Sequence, residues 1–107
     1  MNYHIHTTTG PNQYQVYIGP QQDGGGMIFG TDYVPVLQQR YPGRVFNRCY
    51  EWCSGPATIG FTLLDYGICR NLCLSDVYAP SIESVRLTVK ENNLLDCVTS
   101  YVLDDVS

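Results

Sequence analysis

The sequence predicts an α/β domain in which three parallel strands are joined by crossover helices and preceded by a short β-hairpin and a helix. Three observations carry this expectation. From Val45 onward, apolar runs of strand length alternate with helical segments in the order strand, helix, strand, helix, strand, with short connections. Ahead of Val45, YHIHT and QYQVYI alternate large and polar side chains around the turn signal TTGPNQ. The bulk composition belongs to one folded domain: 107 residues, 44% hydrophobic and 15% charged, with enough apolar surface to build a core.

The elements follow in order. Residues 1–22 are polar and tyrosine-rich and read as the hairpin; DGGG at 23–26 reads as a flexible loop. TDYVPVLQQRY reads as a short helix, with Thr31 or Asp32 as its cap and Pro35 tolerated only in its first turn. Pro42 and Gly43 stop it. VFNRCYEWC reads as a buried strand and SGPAT as a turn, followed by a helix with Ile59, Phe61, Leu63 and Leu64 inward and Gly67 at its end. A second strand spans about Asn71 to Ser75. VYAPSIESVRLTVKENNL has the clearest helical pattern: Pro80 suits the first turn, Ile82, Val85 and Val89 form one stripe, and Asn93 suits a left-handed closing position. CVTSYVLDD is the third strand, with Asp104 and Asp105 at its exit. The expected division is 1–44 for hairpin, glycine loop and docking helix, and 45–107 for the parallel unit.

Composition also excludes. A formal charge of −4 argues against a general nucleic-acid binder, and Arg40, Arg44 and Arg48 read as solvated charges because Pro42 and Gly43 prevent a helix from aligning them. No apolar run is long enough to span a membrane, and the N-terminus lacks the basic-then-apolar pattern of a secretory signal. The cysteines are Cys49, Cys53, Cys69, Cys73 and Cys97; an odd count without a signal implies reduced thiols in the cytoplasm, most of them small buried hydrophobes. Pairs four apart in a strand sit about 13 Å apart, too far to share one zinc ion, so no metal site is expected. His4 and His6 read as a frayed, solvated terminus. Trp52 reads as core before it reads as a ligand-stacking ring.

Ligands of parallel sheets bind beyond the carboxyl ends of the strands. The SGPA turn, Asp76 and the Asp104–Asp105 pair are all expected there. Gly55 lets the backbone approach closely or take a positive φ, and the helix after it offers N–H groups to an anion. A carboxylate at Asp76 accepts from both hydroxyls of a ribose, and an acid after the third strand meets an adenine amino group. The plainer readings are Glu51 as a helix cap or arginine partner, and Asp76 as a loop acid.

The stretch from Cys49 to Asp104 resembles the first half of the class I S-adenosylmethionine-dependent methyltransferases. Their first motif, roughly E/D-x-G-x-G-x-G, is matched by Glu51-Trp52-Cys53-Ser54-Gly55-Pro56-Ala57, with Cys53 and Ala57 in place of the outer glycines. The ribose-binding acid matches Asp76 in LCLSDVYAP, with Val77 beside it, and the adenine-side acid matches Asp104. Gly60 would permit close helix-to-sheet packing, while Phe29, Gly30 and Tyr33 match loosely the segment that meets the methionine end of the cofactor. The dinucleotide fingerprint G-x-G-x-x-G fits less well, because Cys53, Gly55 and Thr58 would have to supply it. The resemblance implies a partial Rossmann-like methyltransferase sheet that binds S-adenosyl-L-methionine through Glu51, Cys53, Gly55, Ala57, Asp76, Val77 and Asp104. The chain reaches Ser107 without the family's fourth strand or its N/D-P-P-Y/F motif, so an incomplete catalyst is expected, with no catalytic residue identifiable and a nucleic-acid or protein acceptor possible only in a longer form. The alternative is a non-catalytic α/β remnant acting in assembly. In either case the first strand presents an open edge, which implies a homodimer or coverage by the N-terminal strands.

Overall fold

A computed structural model describes residues 3–19 and 33–103. The expectations for DGGG, Thr31, Asp32, Phe29, Gly30, Asp104 and Asp105 lie outside the described residues.

The predicted order of elements is observed. Strand β1 (His4–Thr7) pairs antiparallel with β2 (Gln15–Ile18). Helix α1 (Tyr33–Arg40) follows, then β3 (Phe46–Trp52), α2 (Thr58–Asp65), β4 (Cys69–Asp76), α3 (Ala79–Glu91) and β5 (Val98–Val102). β4 is central, with β3 and β5 parallel to it on either side, which makes a three-stranded parallel sheet with helical crossovers. Among the described residues, no helix is long and apolar enough to cross a membrane.

Local chemistry explains the boundaries. Pro80 occupies the first turn of α3, where its missing N–H costs nothing, and Asn93 closes the helix at φ 58°. Gly67 at φ 73° ends α2 and releases the chain into β4. One face of the sheet carries Leu72, Leu74 and Val98, which pack against Phe61 and Leu64 of α2 and Val85 and Val89 of α3. Val16 of the hairpin joins the same core.

The hairpin docks on α3 by an unusual device. The N–H of Tyr17 donates to Thr88 Oγ1 (2.9 Å), and Gln15 N–H donates to Asn92 Oδ1 (3.0 Å), while Asn92 Nδ2 returns a bond to the Gln15 carbonyl (2.9 Å). Side chains of a helix thus satisfy the outer edge of β2 as a neighbouring strand would. The turn between β1 and β2 is held by Asp65, the last residue of α2. Its carboxylate accepts from the N–H groups of Gly10 (2.7 Å), Asn12 (2.7 Å) and Gln13 (3.2 Å).

Five expectations need correction. The N-terminal strands do not cover the edge of β3; they pair with each other and spend their free edge on α3. β3 is not buried on both faces: Tyr50 and Trp52 are 62% and 69% exposed, because the helices of the described residues cover only the opposite face of the sheet. Trp52 is therefore not core. Nor are most cysteines buried: Cys69 is, Cys49, Cys73 and Cys97 are half-buried, and Cys53 is exposed. His4 and His6 are strand residues of β1, not a frayed end.

Candidate cofactor site at the carboxyl end of the sheet

Gly55 and Asp76 meet. β3 ends at Trp52, the chain turns through Cys53–Ala57, and the N–H of Gly55 donates to Asp76 Oδ2 at 2.9 Å. The other carboxylate oxygen accepts from the N–H of Tyr78 at 3.0 Å. Asp76 thus ties the turn after β3 to the exit of β4, and each of its oxygens retains capacity for a further bond.

The turn has a repeating backbone conformation. Cys53, Gly55 and Ala57 have φ of 52°, 54° and 66°, so alternate residues lie in the left-handed region that favours glycine. These are the positions at which small residues alternate in the sequence. The exposed Cys53 adopts this conformation without a glycine's freedom. Cys53→Gly is expected to raise folding stability by about 0.5–1 kcal/mol, read as a higher midpoint in urea; no gain, or a loss, would show that the thiol has a packing role.

The N–H groups of this turn are not an open anion seat. Ser54 N–H donates to the Ser75 carbonyl (3.0 Å), Gly55 N–H to Asp76, and Ala57 N–H to the Ser54 carbonyl (2.9 Å). At the start of α2 the chain supplies its own acid: Glu51 faces the backbone N–H of Gly60, in the first turn of that helix. Burial pushes the Glu51 carboxyl up to about 7, and the Gly60 N–H opposes that rise only in part. Its Oε1 is buried without a hydrogen-bond partner. The capping reading of Glu51 therefore describes one of its contacts. Gly60 is required by the same packing: a Cβ there would lie 2.8 Å from Glu51 Oε1 and 3.3 Å from Leu72 Cδ1.

Val77 and Tyr78 follow Asp76 and are 43% and 44% exposed, and Trp52 and Val102 are exposed at the same end of the sheet. Two grooves on the uncovered sheet face, of about 370 and 210 Å³, share Tyr50, Cys73 and Tyr101, and neither includes Gly55 or Asp76. The polar geometry, and not groove volume, marks the candidate site. Among the described residues no cluster of three His, Cys, Asp or Glu could hold a metal ion.

No family model matches the chain, and no curated protein matches it in sequence. Solved structures do match its fold. One is TYW2 of Pyrococcus horikoshii in complex with MeSAdo, with a TM-score of 0.63 at 11% identity, covering 98% of this chain and 38% of that one. Another is PH0793 of the same organism, provisionally named a transferase, with a TM-score of 0.62 at 11% identity, covering 94% of this chain and 36% of that one. The likeness is one of fold: a partial Rossmann-like sheet. The chain spans little more than a third of the length of either neighbour.

What sequence reasoning missed is Asp65, read only as part of a helix end. A buried acid whose partners lie more than fifty residues away leaves no local pattern.

Proposed function

We propose that residues 45–107 form the cofactor-binding half of an S-adenosylmethionine-dependent methyltransferase-like domain, against which residues 1–44 dock. The observation that carries this reading is the Gly55 N–H to Asp76 bond, which sets a glycine turn and a strand-end carboxylate side by side at the carboxyl edge of parallel strands. The solved neighbour with MeSAdo, an S-adenosylmethionine analogue, supports it by analogy of fold.

The residues fit such a cofactor. Asp76 has acceptor capacity left for ribose hydroxyls, Val77 offers an exposed apolar surface to the adenine, and the partnerless oxygen of Glu51 suits an amino group. Gly55, flanked by the left-handed Cys53 and Ala57, lets the ligand approach the backbone. Asp104 is proposed for the adenine amino group. When bound, the sulfonium supplies an already activated methyl group. A methyl acceptor, nucleic acid or protein, and the groups that would orient it are assigned to a longer form of the chain.

Calorimetric titration with S-adenosylmethionine and S-adenosylhomocysteine tests this. Binding is expected, and Asp76→Ala should weaken it at least about tenfold, a loss of about 1.4 kcal/mol or more. Asp76→Asn, which retains an acceptor for Gly55, separates loss of ribose contact from loss of the turn. Absence of heat at millimolar ligand with the folded chain would refute the assignment.

A further inference from the structure

The turn after β3 has spent its donors. The N–H groups of Ser54, Gly55 and Ala57 go to the Ser75 carbonyl, Asp76 Oδ2 and the Ser54 carbonyl. Little is left there for a phosphate or a carboxylate. What remains unsatisfied is an acceptor. Glu51, the penultimate residue of β3, leads into the turn, and its Oε1 is buried without a hydrogen-bond partner.

The surroundings of this carboxyl are apolar. A Cβ built on Gly60 would meet Glu51 Oε1 at 2.8 Å, Leu72 Cδ1 at 3.3 Å and Leu74 Cδ2 at 3.4 Å, so the three side chains converge on one point of α2. The charged and titratable groups on the elements around it are Arg48, Cys49 and Tyr50 on β3, Cys53 in the turn, Cys69, Arg70, Cys73 and Asp76 on β4, and Asp65 at the far end of α2. None of these charges acts on the Glu51 proton, which burial holds against the pull of the Gly60 N–H. Ionised and alone, Glu51 would be a buried charge without a partner, so the empty site favours the neutral acid. A cation seated against the turn reverses that balance, because an opposite charge within about 4–6 Å favours the ionised form even without direct contact.

We infer that Glu51 exchanges its proton for the ammonium group of the ligand's amino-acid tail, so that the site selects adenosine ligands that carry this cation over those that lack it. The inference rests on the cofactor reading above and assigns the selectivity of that site to one side chain. The proton leaves to solvent as the ammonium arrives, and the carboxylate–ammonium pair replaces a charge that burial alone opposes. A dinucleotide brings a pyrophosphate to the same turn, where it meets spent donors and a buried acid, and is disfavoured.

Calorimetric titration with S-adenosylhomocysteine and with 5′-methylthioadenosine, which lacks the amino-acid tail, tests the exchange at about pH 5.5 and about pH 7, below the ordinary range of an α-amino group. With the Glu51 carboxyl at about 7 in the empty chain, S-adenosylhomocysteine should bind at least about tenfold more tightly at the higher pH. It should release close to one proton at the lower pH, read from the heats in buffers of different ionisation enthalpy. 5′-Methylthioadenosine should bind more weakly, with little dependence on pH and no proton release. Glu51→Gln, its fold checked by circular dichroism, should flatten the pH dependence for S-adenosylhomocysteine and narrow the gap between the two ligands; the two-ligand comparison in the wild type stands without it. Equal affinity of S-adenosylhomocysteine at both pH values, an equal change for 5′-methylthioadenosine, or a pH dependence that survives Glu51→Gln would each overturn this inference and leave the cofactor reading intact. Absence of heat with both ligands would overturn the two together.

Discussion

Asp65→Ala is expected to remove about 3–5 kcal/mol of folding stability, the cost of taking a charged acceptor away from three backbone N–H groups. Asp65 is 1% exposed, and its carboxylate accepts three backbone N–H groups from the turn at Gly10–Gln13. Truncation to alanine takes the acceptor from three donors at once. The total stability of a domain this size is about 5–15 kcal/mol, so the loss is a large part of the whole. Asp65→Asn keeps the shape but points an amide N–H₂ at one of the donors, and should cost less, about 1–3 kcal/mol. Gly10→Ala tests the same contact from the other side, because its Cβ would lie 2.6 Å from Asp65 Cγ. Urea unfolding gives the magnitudes, and hydrogen exchange at Tyr14–Ile18 reports whether the hairpin detaches first. A loss under about 1 kcal/mol for Asp65→Ala would mean that packing of Val16 and Ile18, and not this carboxylate, holds the hairpin.

The second large effect is on pH. The Glu51 carboxyl titrates near 4.5 when exposed and at about 7 when folded, with burial as the main cause. Its folded-state value is raised, so the folded chain binds the proton more tightly than the unfolded chain between these limits. The stabilising contribution is complete below about 4.5 and is lost as pH rises to 7 and beyond. The full swing is roughly 3 kcal/mol. Glu51→Gln removes the titration and keeps an acceptor for the Gly60 N–H. The variant should show a flatter dependence of urea midpoint on pH and should exceed the wild type in stability at pH values above that range. An unchanged slope in Glu51→Gln would assign the titration to another group. If an amino group of a cofactor pairs with Glu51, ligand binding should lower its pKa and reduce the slope in the wild type.

Much of the fold was legible because it rests on local rules. Alternation marked β1 and β2, Pro80 and Asn93 marked the two ends of α3, and the 3.6-residue stripe of Ile82, Val85 and Val89 marked its buried side. Gly55 was legible as a backbone residue, and its positive φ agrees. The burial of β3 was misread because VFNRCYEWC is apolar enough to be covered on both faces. Whether a strand is covered depends on which helices return to it, and that is not written in the strand itself.

By itself, then, the sequence determined the order and type of the elements and the conformational bias of the turn after β3, because propensity, periodicity and turn chemistry act over a few residues. Only the tertiary structure decided that Asp76 grips Gly55, that Glu51 is buried against the start of α2, that Asp65 holds a hairpin more than fifty residues upstream, and that Tyr50 and Trp52 of β3 stand exposed. Each of those depends on which distant groups come to share a small volume. Burial and orphaned acceptors are properties of that volume and not of any segment of chain.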